Sequence, residues 1–107
     1  MEITSTELQE KIKKGDKLVV DFFAEWCGPC KMMKPIFERV GADAISNNSL
    51  VSYYTFDVES DKLFASTLGV RSIPTVKSFS NGKEVATRVG VLNEEQLQIL
   101  ENLVING

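Results

Sequence analysis

The sequence predicts an α/β protein built on a central mixed β-sheet of about four strands, with helices on both faces. Three observations carry this. Helix-like and strand-like periodicities alternate along the chain in the order α, β, α, β, α, β, β, α, the pattern of strands linked by helical crossovers. Residues 17–24 (Lys-Leu-Val-Val-Asp-Phe-Phe-Ala) form a near-continuous apolar run, which implies burial on both faces, as in the middle of such a sheet. Asn81-Gly82 stands between two strand-like runs, a strong hairpin signal, so the last two strands are expected to be antiparallel.

Each element has its own local reason. Residues 4–14 read as a helix: Thr4 and Glu7 have capping-box spacing, Leu8 and Ile12 lie one turn apart, and Gly15-Asp16 ends the run. After the apolar strand and a short turn, a second helix carries Met32, Met33, Ile36, Phe37 and Val40 and is expected to run to about Val40. Pro35 inside it removes a backbone donor and predicts a kink. Residues 41–49 start as helix and end as loop. Residues 50–58 are strand-like, with Val51, Tyr53, Tyr54, Thr55 and Phe56. Residues 60–68 read as one short helix with Gly69 as its C-cap. Residues 75–80 and 84–89 form the hairpin strands. Asn93 caps a last helix to about Val104, with Leu97, Leu100 and Leu103 on its inner face.

Composition narrows the function. The 107 residues suit a single domain over 1–107, with 43% hydrophobic and 25% charged residues, enough for a core that needs no structural disulfide or metal. The net charge of −3 and the lack of a basic run argue against nucleic acid or an anionic membrane as partner. No stretch approaches a membrane span, and the start Met1-Glu2-Ile3-Thr4-Ser5 has no signal-peptide pattern. With no histidine, Cys-His and Ser-His nucleophilic catalysis and His-ligated metal sites are excluded.

The only two cysteines stand in Trp26-Cys27-Gly28-Pro29-Cys30, between a strand-like and a helix-like run. A single Cys-x-x-Cys in that setting, in a reducing compartment such as the cytoplasm, or an organelle had a transit peptide been removed, reads as a thiol–disulfide redox pair. Cys27 is the candidate nucleophile, because the unpaired N–H groups and positive dipole end of a helix N-terminus favour a thiolate. Pro29, just inside the helix, has no donor to waste there. Cys30, about one turn on, is the candidate resolving thiol. Inert buried cysteines are the plain structural alternative. Asp21 lies within the apolar strand, where burial is expected to raise its pKa unless it is paired. Lys31, Lys34 and Glu25 could act on the site electrostatically, although a solvated helix surface accounts for them. Lys77 and Ser78 are polar in a strand and have no functional account.

Together these residues resemble a known family. The run Val20-Asp21-Phe22-Phe23-Ala24-Glu25-Trp26-Cys27-Gly28-Pro29-Cys30-Lys31-Met32 is similar to the active-site stretch of thioredoxins. Val70-Arg71-Ser72-Ile73-Pro74-Thr75 resembles the family's second loop, Asn81-Gly82-Lys83 its hairpin turn and Val89-Gly90-Val91 its third loop, in the family's order. Three departures accompany the match. The family's first strand is short or lost, cut to Glu2-Ile3. The 41–49 segment is longer than usual. Thr55 stands where many bacterial members carry a lysine facing the buried aspartate.

The resemblance implies a thioredoxin fold and a protein-disulfide reductase. It works by thiol–disulfide exchange through a mixed disulfide, without bound cofactor or metal. Asp21 would exchange a proton with Cys30. Ile73-Pro74 would be cis, although on the residues alone trans is expected. Trp26, Gly28, Pro29, Val58, Ile73, Pro74, Val89, Gly90 and Val91 would surround Cys27 as a surface for disulfide-containing target proteins. The protein would act as a monomer, re-reduced by an NADPH- and flavin-dependent or a ferredoxin-linked reductase. The intervening Gly-Pro resembles the reducing members. Two other readings fit parts of the sequence: an interaction subunit whose redox chemistry is dispensable, and a metal site of four thiolates shared between two chains.

Overall fold

The computed structural model describes residues 1–106. Its elements are α1 (Ser5–Lys14), β1 (Leu18–Phe23), α2 (Gly28–Ser46), β2 (Ser52–Asp57), a 3-10 turn (Val58–Ser60), α3 (Lys62–Thr67), β3 (Thr75–Ser80), β4 (Lys83–Val89) and α4 (Glu94–Asn106). The sheet has four strands in the order β2-β1-β3-β4. The β1–β2 pair is parallel, joined by the α2 crossover, while β1–β3 and β3–β4 are antiparallel. The apolar run thus takes an inner position, because only there are both of its faces covered. The expected first strand survives as an isolated parallel bridge between Glu2 and Thr55. It is held by Ile3 N–H to Thr55 O and Thr55 N–H to Met1 O, both 2.9 Å.

Alternation along β1 sorts the core into two layers. Leu18, Val20 and Phe22 point with Phe56 and Phe79 toward Leu8 of α1 and Phe64 and Ala65 of α3. Val19 points with Tyr53 and Val76 toward Met33, Phe37 and Val40 of α2 and Leu97, Leu100 and Val104 of α4. Each is a side chain removed from water at about 25 cal/mol per Å² of apolar area, and this burial sets which face of each helix turns inward. By the same alternation Asp21 lies on the α2 side of the sheet.

Several local expectations are corrected. The α2 helix has no break near Val40 and is continuous to Ser46, with Pro35 and Gly41 inside it, while residues 41–49 start as helix and end outside it as read. Gly41 is where the helix passes close over β2: a Cβ there would stand 3.1 Å from Tyr53 Cβ. In the region expected as one 60–68 helix there are two units, because Asp57 accepts from Glu59 N–H and Asp61 from Phe64 N–H, each opening its own turn. Leu68 caps α3, and Gly69, at φ +79°, is one residue beyond. Leu103 is 40% exposed, and Val104 takes the inward position after Leu100, one turn on at the i+4 spacing. The caps at Thr4 and Gly15 are as read. Asn93 has a reciprocal partner not anticipated: Gln96 N–H donates to Asn93 Oδ1 at 2.8 Å and Gln96 Oε1 accepts from Asn93 N–H at 2.9 Å.

Candidate active site

Cys27 is the N-cap of α2, with extended backbone, and its sulfur accepts the Cys30 N–H at 3.2 Å. This satisfies one of the orphan donors of the helix start and lays the sulfur against the positive end of a 19-residue helix. Pro29 falls in the first turn, where a missing N–H is harmless. Cys27 and Cys30 are joined as a disulfide, their Cα atoms 5.2 Å apart. Both are nearly buried, packed with Ala24 against Phe23, Val58 and Ile73.

The two sides of this pair differ. On one side the chain presents Trp26, Val89 and Val91 to solvent, at 68%, 65% and 41% exposure, with Gly28 and Pro29 also exposed. Trp26, Val58 and Ile73 line a hollow of about 240 Å³ rimmed by Lys62 and Arg71. The Ile73-Pro74 peptide is cis, and Pro74 O accepts the Gly90 N–H at 2.9 Å, which ties the 89–91 loop to the Pro74 loop. The structure therefore brings Val58 and Ile73 onto the cysteines and leaves exposed Trp26, next to Cys27, and Val89 and Val91, on either side of the Gly90 that is tied to Pro74.

On the other side is a cavity of about 330 Å³ whose lining includes Asp21, Cys30, Lys34, Glu38 and Thr55. Cys30, and not Cys27, faces it. Asp21 is 2% exposed, and its Oδ1 has no hydrogen-bond partner. Burial alone pushes this carboxyl up to about 7. Thr55 is the register partner of Asp21 on β2, so a neutral residue stands where a cation would hold the carboxylate ionised. The lining position of Glu38 was missed in the sequence, although Cys30, Lys34 and Glu38 at i, i+4 and i+8 mark one helix face.

Lys77 gains a structural account. Its buried ammonium donates to Glu84 Oε1 at 2.7 Å and to Thr87 Oγ1 at 3.0 Å, across the hairpin and away from the disulfide. Ser78 Oγ is buried without a partner. Among the described residues no group of three or more His, Cys, Asp or Glu is placed to hold a metal ion.

A Cys-x-x-Cys disulfide at a helix N-terminus, on an α/β sheet and packed against Ile73 of the cis-proline loop, defines a thiol–disulfide oxidoreductase of proteins. Comparison with known proteins makes the assignment specific. The thioredoxin family model matches residues 1–102. A thioredoxin of Malassezia sympodialis is 39% identical over 89 residues, covering 82% of this chain and 83% of the relative. One of Rickettsia bellii is 36% identical over 96 residues, covering 89% of each. Among solved structures, Plasmodium falciparum thioredoxin superposes with a TM-score of 0.80 at 29% identity, over 95% of this chain and 98% of that one. The Malassezia sympodialis thioredoxin structure gives 0.79 at 32%, over 92% and 86%. The chain belongs to the thioredoxin family. It is a protein-disulfide oxidoreductase whose redox centre is the cysteine pair itself, acting on disulfide targets and recycled by a reductase.

Proposed function

We propose that this single domain is a reducing thioredoxin in which Cys27 attacks, Cys30 resolves and Asp21 carries the proton. The observation that supports this division is that Cys30 lines the Asp21 cavity while Cys27 caps α2 beside the exposed apolar loops. In the reduced protein the Cys27 thiolate attacks one sulfur of a target disulfide. A Cys27–target S–S bond forms, and the other target sulfur leaves as a thiolate and takes up a proton. Cys30 then gives its proton to Asp21 and attacks the Cys27 sulfur. The Cys27–Cys30 bond forms, the second target thiolate leaves, and two electrons have passed to the target. A carboxyl poised near 7 suits this step, since it takes and returns a proton at neutral pH.

Targets would lie across Trp26, Gly28, Pro29, Val58, Ile73, Pro74, Val89, Gly90 and Val91, where exposed apolar surface surrounds the nucleophile. The Ile73 main chain, at the rim of the Trp26–Val58 hollow, would pair with an extended target strand. We infer action as a monomer in the cytoplasm, with either an NADPH- and flavin-dependent or a ferredoxin-linked reductase as electron donor. Among the described residues no helix is long and apolar enough to cross a membrane. The test is reduction of insulin disulfides, with dithiothreitol as electron source, by wild type, Cys27→Ser and Cys30→Ser. Wild type should turn over, Cys27→Ser should be inactive, and Cys30→Ser should accumulate a covalent complex with target. No wild-type activity above dithiothreitol alone, or trapping by Cys27→Ser instead, would overturn the assignment.

A further inference from the structure

We propose that Lys34 is a positioning residue for Asp21, its ammonium folding over the mouth of the cavity behind Cys30 to favour the carboxylate form. The catalytic meaning rests on Asp21 as proton acceptor; the contact itself does not. Asp21 Oδ1 is buried and unpartnered on a cavity of about 330 Å³, so the carboxylate needs a donor or cation from the walls. From β2 the facing residue is Thr55, a hydroxyl without charge. The charged side chains around the cavity are Glu2 from the N-terminal bridge, Glu25 from the turn, and Lys31, Lys34 and Glu38 from α2. Among these side chains only the two lysines can stabilise a carboxylate, and the other cation at the cavity is the amino group of Met1.

Helix geometry separates them. Helical side chains lean toward the N-terminus, so the stem of Lys34 covers the turn that carries Cys30, on the same face as Cys30 and Glu38. Lys31 also lines the cavity, but it stands about 100° round the helix from Cys30, against about 40° for Lys34. Lys34 and Lys31 are both exposed and, among the described residues, neither forms an ion pair, whereas Arg39, Lys62 and Lys77 each have a carboxylate partner. The four-carbon stem of Lys34 can lie along the wall while the ammonium stays at the wet mouth. Glu38, one turn further on, competes for it. With its ammonium at that mouth, Lys34 would bring the Asp21 midpoint below the value of about 7 that burial alone sets, and so enlarge the ionised share ready to take the Cys30 proton.

The test follows the Asp21 carboxyl by ¹³C NMR across pH in the oxidised protein, for wild type, Lys34→Gln, Lys34→Arg and Lys31→Gln. Lys34→Gln should raise the Asp21 midpoint by about one pH unit. Lys34→Arg should restore it, and Lys31→Gln should move it much less. High salt should raise the wild-type midpoint and leave that of Lys34→Gln in place, because the cation is at the solvent boundary. Coincident titrations of wild type and Lys34→Gln, or an equal shift in Lys31→Gln, would overturn the proposal. This readout does not depend on catalysis, so failure of Asp21 as proton acceptor would show separately, as an insulin-reduction pH profile unchanged in Asp21→Asn.

Discussion

Asp21→Asn should stabilise the oxidised protein, and the gain should depend on pH in a defined way. Below pH 3.8, the ordinary value for this carboxyl, it is protonated in folded and unfolded chains alike and carries no penalty. Between 3.8 and about 7 the unfolded chain releases the proton while the folded chain retains it, so stability falls as pH rises. Above about 7 the folded protein also ionises and the full penalty is present. At about 1.4 kcal/mol per pH unit, this interval corresponds to a ceiling of about 4 kcal/mol. Water in the cavity screens part of it, so the expected gain for asparagine at pH 8 is about 2–4 kcal/mol. The assay is guanidinium unfolding of both proteins from pH 4 to 8.5, read as the difference between them. Glu7, Asp61 and Glu84, whose pKa values are lowered, act in the opposite sense, adding stability above the ordinary carboxylate range that is lost on acidification, and they cancel in the difference because both proteins carry them. A difference that grows from pH 4 to 7 and then levels is the expected result. A difference that is flat with pH, or a wild type that gains stability relative to asparagine on ionisation, would refute the reasoning.

Three further outcomes follow from the packing. Gly41→Ala should lower stability by about 1 kcal/mol, because overpacking against Tyr53 outweighs the better helix propensity of alanine. Tyr53 cannot yield, since its hydroxyl donates to Glu101 at 2.5 Å and its ring packs edge-on against Phe37 at 5.5 Å; chemical denaturation measures the loss. Tyr53→Phe should cost about 1–2 kcal/mol by leaving Glu101 with only the Ser49 hydroxyl, 2.7 Å away, and should appear as a lower Tm. Glu84→Ala should cost about 1–2 kcal/mol in denaturant unfolding, because the buried Lys77 ammonium keeps only Thr87 as a partner.

What could be read from sequence alone was chemistry carried by near neighbours. The Trp26-to-Cys30 motif, the Thr4–Glu7 cap, the Asn81-Gly82 hairpin and the doubly buried β1 each depend on residues a few positions apart, where propensity and hydrogen-bonding geometry decide. Even the odd aspartate in an apolar strand announced itself, since a lone carboxylate there violates its surroundings.

The tertiary structure decided whatever depends on what lies across the gap. Helix propensity alone could not end α2 correctly, because Gly41 is accommodated inside the helix where it passes over Tyr53. Leu103 and Val104 are equally apolar as letters; packing over β1 and β3 turned one outward and the other in. Lys77 looked out of place until β4 supplied Glu84 and Thr87. For Ile73-Pro74 the residues by themselves favour trans, and the cis bond accompanies a loop tied to Gly90 sixteen positions on. The cavity that joins Asp21 to Cys30 and Lys34 is assembled from the N-terminal bridge, β1, α2 and β2. Its dielectric, and so the proton affinity of Asp21, is a property of that enclosure and of no segment within it.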